Sequence, residues 1–203
     1  MLNSVVLIEQ CAPQISPVLM DALVRAESAW RPLAIGMDKA QGTVKQPVSL
    51  SEAIATANAL TTAGRKFSVG LAQIHVTNVA LYGMTWEQAF DACQNLAIGQ
   101  KILWNFYRRA LASGYTGVSA IWAALRGYNS GGVDRAVSDE YANRIFAYLS
   151  SAPPQVQFGN GVPVPEPAVE KSAAHLAVAA SALEGGKPGE SLDVFEKSKR
   201  AGF

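Results

Sequence analysis

The 203-residue chain has no excess of either charge: 17 lysines and arginines against 16 aspartates and glutamates give a formal net charge of +1. The basic residues are scattered, so no electrostatic footprint for a nucleic acid or an anionic membrane surface is present, and neither is expected as a partner. Long apolar runs are missing too. The run "VVLI" at 5–8 is far too short for a membrane span or for the core of a signal peptide, so export is not visibly encoded. Cysteine is confined to Cys11 and Cys93, with no second ligand pair of metal-site spacing, and no metal or cofactor is expected. On the residues alone, two buried free thiols are the plain reading. No repeat of solenoid period occurs.

What is present is an ordinary globular composition, 49% hydrophobic and 16% charged, which suits one domain with a sizeable core. Composition changes once, near "SSAPPQVQFGNGVPVPEP" at 150–167, where proline, glycine and small polar residues replace the periodic pattern. The expected division is therefore a catalytic-sized domain over 1–150 and a flexible tail over 151–203, with one amphipathic helix predicted in "AVEKSAAHLAVAASALE". That tail cannot bury a core alone. His175 within it has no acidic or nucleophilic partner at helical spacing, so no function is assigned to it.

The domain reads as mainly α. Leu19, Leu23, Ala26 and Trp30 keep the three-or-four spacing of a buried helical stripe that Pro32 closes. "SLSE" at 49–52 and "TWEQ" at 85–88 are capping boxes that open two further helices. After "DACQNL" a long helix carries Leu96, Ile102, Leu103, Phe106 and Ala110 inward and stops at Gly114, while "VSAIWAAL" and "EYANRIFAYL" supply two more. "KFSVGLAQIHVTN" resists this pattern: Val69, Leu71 and Ile74 suit a short buried run of either type, and Gly70 implies a close backbone approach.

In "ALVRAESAW" at 22–30 a single acid, Glu27, lies along the margin of the apolar face. A carboxyl group packed by apolar neighbours loses the water that stabilises its charge, so its pKa rises and it can deliver a proton at neutral pH. That is the requirement of a glycosidic general acid. The alternative is that Glu27 projects to solvent or pairs with Arg31 one turn on.

Four blocks in order decide for the first reading: "ES" at 27–28, "SVGLAQI" at 68–74, "GYNSG" at 127–131 and Tyr141 opening the last helix. Together they resemble the catalytic domain of the lytic transglycosylases that share a goose-type lysozyme fold. "CAP" at 11–13, "QPVSLSEAIATA" at 46–57, "FSVGLAQI" and "YGMTWEQAFDACQNL" at 82–96 narrow the resemblance to the branch that serves type IV secretion systems. It covers about residues 10–150 and is specific because distant blocks agree.

The resemblance implies a peptidoglycan substrate and a reaction without water. Glu27 is the acid and then the base, and Tyr141 hydrogen-bonds it. Ser68, Gly70 and Gln73 line the sugar site, with Ser68 close to the acid and Gln73 offering an amide donor and acceptor. Tyr128 and Asn129 form the floor of the cleft, although Gly127 replaces the alanine that often precedes them and leaves the local helix end open. The branch usually has two more cysteines, at positions matching Phe106 and Gly127, and lacking both implies that Cys11 and Cys93 form the remaining disulfide. Such a bond, tying down an N-terminus with little else to pack, implies the periplasm. Secretion-system subunits are the implied partners, and the tail is expected to be dispensable for cleavage. Two rivals stand beside this reading: a hydrolytic muramidase on the same fold, and a non-catalytic assembly module that only holds glycan.

Overall fold

The computed structural model describes residues 4–38 and 40–150; the expected linker, tail helix and His175 lie outside them. Helix α1 (Ser4–Cys11) is followed by α2 (Pro17–Ser28), β1 (Ile35–Met37), α3 (Leu50–Thr62), β2 (Phe67–Val69), β3 (Ile74–His75), α4 (Val76–Leu81), α5 (Trp86–Phe90), α6 (Ala92–Ala112), α7 (Gly117–Ser130), a 3-10 turn (Ala136–Ser138) and α8 (Asp139–Leu149). The mainly helical reading holds. Its frame is the long helix α6, about 31 Å from end to end, with α7 along it, α2 crossing to α8, and α1 against both α2 and α6.

Local chemistry places the ends. Pro17 occupies the first turn of α2, where a missing N–H is harmless. The Thr85 box forms in full, with Gln88 N donating to the Thr85 hydroxyl at 3.3 Å and Thr85 N donating to the Gln88 side chain at 2.9 Å. At α3 the Ser49 hydroxyl accepts from Glu52 N, but the Glu52 carboxylate reaches one residue further back, to Val48 N at 2.9 Å. The stripe of α2 ends differently from its spacing. The helix stops at Ser28, Ala29 and Trp30 turn left-handed with φ of 49° and 62°, and Trp30 is still buried because that turn folds its indole back under the helix.

The segment that fits neither period becomes a hairpin. β1, β2 and β3 form one antiparallel sheet in that order, with Ser68 opposite Gly36 and His75 in register. The turn between β2 and β3 carries Gly70 at φ 78° and Gln73 at φ 48°. Buried Asn95 on α6 holds this turn by accepting from Ala72 N at 2.7 Å and donating to Val69 O and Ala89 O. A side chain at Gly70 would strike Asn95 and the Ala89 carbonyl, which explains the glycine.

Cys11 and Cys93 are bonded, with Cα atoms 5.0 Å apart, so the end of α1 is tied to the start of α6. The N-terminal helix nevertheless has its own packing, because Ser4 and Ile8 are buried along with Cys11. Helix α7 runs unbroken through Gly127 to Ser130, where Gly131 caps it at φ 80°. There the Phe106 ring fills the space a side chain on Gly127 would need, so these two positions meet as an aromatic over a glycine.

Candidate active site

Glu27 sits in the last turn of α2, half-buried, where the helix's exposed carbonyl ends offer a negative charge no support. Burial is the largest influence on it and raises its pKa from the ordinary 4.5 to about 7. Two effects oppose this: a hydrogen bond from Tyr141 and the positive charge of Arg144. The Tyr141 hydroxyl donates to Glu27 Oε1 at 2.5 Å across 114 residues of sequence. Arg31 does not take the role of an i+4 partner, since its Nε donates to the Ser28 carbonyl.

Tyr141 is supplied by the first turn of α8 and Tyr128 by α7, and burial, reinforced by the Glu27 charge, pushes both phenols well above their usual pKa. Both hydroxyls therefore stay protonated donors. Tyr128 donates to Ala72 O at 2.7 Å, which pins the hairpin turn to the helical side. Asn129 donates to the buried hydroxyl of Ser138 at 3.0 Å, fixing the entry into α8 three residues ahead of Tyr141. Its amide thus supports the helix that carries the phenol.

On the sheet, Gln73 Nε2 donates to Ala34 O and Gly70 O at 3.2 and 2.9 Å, so its donors serve the turn and only Oε1 is left to a ligand. That carbonyl lies against Gly36, where a side chain would collide with it. Ser68 lies on β2 opposite Gly36 and makes no hydrogen bond to Glu27 among the described residues.

The acids of the spacer have other work. Glu52 caps α3, and Asp38 faces His75 at 3.8 Å. Neither is among the groups that shift Glu27. Among the described residues no group of histidine, cysteine or acidic side chains is arranged to hold a metal ion, and no helix is long and apolar enough to cross a membrane.

Sequence reasoning passed over Gly36, Asn95 and Asp21. A lone glycine in a strand signals close approach, and a polar residue within an apolar helical stripe signals a buried partner. Those signals were present in "AIGMD", "CQNLA" and "LMDAL".

Comparison with known proteins adds a lineage to this geometry. Residues 4–147 match the family model described as "Transglycosylase SLT domain". "Type IV secretion system protein virB1" of Brucella abortus biovar 1 (strain 9-941) is 40% identical over 153 residues, 75% of this chain and 59% of that protein, and the Brucella suis biovar 1 (strain 1330) protein of the same name matches equally. "Protein virB1" of Agrobacterium fabrum is 25% identical over 139 residues, 67% of this chain and 55% of its own length. The chain thus spans less than two thirds of these relatives. No solved structure matches it significantly.

Proposed function

This chain belongs to the transglycosylase SLT family, and we propose that it acts as a peptidoglycan lytic transglycosylase. The observation that carries the reading is the Glu27 carboxyl group, poised near pH 7 by burial and held by a buried phenol. In the proposed reaction, protonated Glu27 gives its proton to the oxygen between N-acetylmuramic acid and N-acetylglucosamine, and that bond breaks. The substrate's own N-acetyl group supports the cation at the muramic acid C1. Ionised Glu27 then takes the proton of the sugar's 6-hydroxyl, whose oxygen closes on C1 to give the 1,6-anhydro ring. One group with a mid-range pKa suits both steps, since it must give and recover a proton in each turnover. Gln73 Oε1 and the backbone around Gly70 are the proposed sugar contacts, with Ser68 and Tyr128 beside them.

A double-displacement hydrolase would need a second carboxylate about 5 Å from the first, and the acids of the spacer are engaged elsewhere. A module that only holds glycan would have no use for a proton donor of this kind. The similarity to proteins named for type IV secretion supports a role in opening the wall locally for a secretion or conjugation apparatus, and hence action in the periplasm. Peptidoglycan strands and secretion subunits are then the partners. The test is mass spectrometry of sacculi digested by the purified chain: 1,6-anhydro ends are expected, and reducing ends alone would make the enzyme a muramidase.

A further inference from the structure

Asp21 is a carboxylate that the reaction does not use, yet it is only 5% exposed, on the inner face of α2. Its Oδ1 accepts from the Trp30 indole Nε1 at 3.0 Å, and its Oδ2 faces Arg25 at 3.9 Å. Burial raises its pKa against the opposing effects of Arg25 and Trp30. An acid in such a place costs stability unless its partners are needed there.

Those partners lead to both halves of the proton-handling pair. Trp30 ends the left-handed Ala29–Trp30 turn, at φ of 49° and 62°, immediately behind Glu27. Non-glycine residues in that region are strained and persist only where surrounding contacts enforce them. The indole bond to Asp21 is such a contact, and it closes the end of α2 so that Glu27 cannot fray with the last turn. Arg25 leads the other way. Its guanidinium lies 4.4 Å over the Tyr148 ring and donates to Tyr148 O at 3.5 Å, on α8, the helix that carries Tyr141.

We infer that Asp21 is a positioning residue, a buried carboxylate that fixes the strained end of α2 through Trp30 and the orientation of α8 through Arg25, and so sets the Glu27–Tyr141 geometry. The inference rests on the transglycosylase reading of Glu27. It acts through placement, so losing it alters turnover and the titration of Glu27 more than substrate affinity. Misplacing a reacting group by about 1 Å can cost on the order of 100-fold in rate.

The test compares Asp21→Leu, Asp21→Asn and Trp30→Phe in the full chain, with kcat, KM and pH–rate profiles measured on soluble glycan strands. Asp21→Leu should lower kcat by about 10-fold or more, leave KM within about 2-fold and displace the alkaline limb of the profile. Asp21→Asn should restore most of kcat, because its amide oxygen still accepts from the indole. Trp30→Phe removes that N–H together with part of the buried indole and should reproduce the kcat loss, and a folded Trp30→Phe decides the matter if Asp21→Leu does not fold. A folded Asp21→Leu or Trp30→Phe with wild-type kcat and profile would overturn the positioning role. Glu27→Gln run beside them separates the two ideas: if it cleaves normally the reaction assignment falls, whereas an inactive Glu27→Gln with fully active Asp21→Leu removes the positioning role alone.

Discussion

On the helical side of the site, Glu27 meets Tyr141 across 114 residues of sequence and Asp21 meets Trp30 across nine, each pair through a bond between side chains. On the sheet side, Asn95, Gln73 and Tyr128 direct their polar atoms at backbone groups of the hairpin turn and of Ala34 beside it. The difference follows from how each region satisfies its own backbone. A helix closes its N–H and C=O groups internally, so its side chains are free to tune one another's charge. Three short strands, two of them joined by a turn with left-handed residues, leave backbone groups open, and buried ones need partners. In the proposed reaction the helices therefore set the proton chemistry, and the sheet sets the shape that a sugar would meet.

Glu27→Gln breaks the helical side with the largest effect. Cleavage should fall by about 10²–10⁴-fold or more, since in the proposed reaction one residue serves as acid and base, and muropeptide release measures it. The fold should not suffer. Because the Glu27 pKa is raised in the folded state, the native protein holds a proton that the unfolded chain releases from about pH 4.5 upward, so stability falls as pH rises toward 7. Gln removes that loss, and its melting temperature at pH 8 should exceed that of the wild type.

Asn95→Ala breaks the sheet side in the opposite currency. It orphans Ala72 N, Val69 O and Ala89 O in the interior, and a stability loss of about 3–5 kcal/mol is expected in urea titration. Whatever remains folded should keep the alkaline limb of its pH profile.

Cys11→Ala with Cys93→Ala lies outside both regions and sharpens the contrast. Opening a covalent tie between α1 and α6 should cost about 2–4 kcal/mol in denaturation, with cleavage by the folded enzyme unchanged. Tyr141→Phe gives the smallest change, about a 10-fold loss of rate. The phenol's hydrogen bond lowers the Glu27 pKa, so without it the pKa rises above 7 and the alkaline limb should move to higher pH. A limb that stays in place would separate the titration from Glu27.

Much of the helical side was legible beforehand. The spacing of Leu96, Leu103 and Ala110, the Thr85 box and the stop at Gly114 are local signals, each acting within one or two turns. Glu27 stands out as an acid beside an apolar stripe, but the agreement of the distant blocks, and not that local oddity, decides for a proton donor. The hairpin was not legible, since a buried run as short as "FSVGLAQI" has no period long enough to separate strand from helix. The reach of Glu52 to Val48 rather than Ser49, and the burial of Trp30 by a left-handed turn instead of a further helical turn, also escaped the spacing.

The sequence by itself determined where most of the longer helices run and how several of them are capped, and those properties rest on neighbours a few positions apart. Only the tertiary structure decided that Tyr141 reaches Glu27, that Gln73 spends its donors on Ala34 and Gly70, that Phe106 fills the space beside Gly127, and that Asp21 connects Trp30 to Arg25 and so to α8. The Glu27–Tyr141, Phe106–Gly127 and Arg25–Tyr148 contacts depend on the angle at which two packed helices cross, and that angle is set by the whole core rather than by any segment that contributes to it.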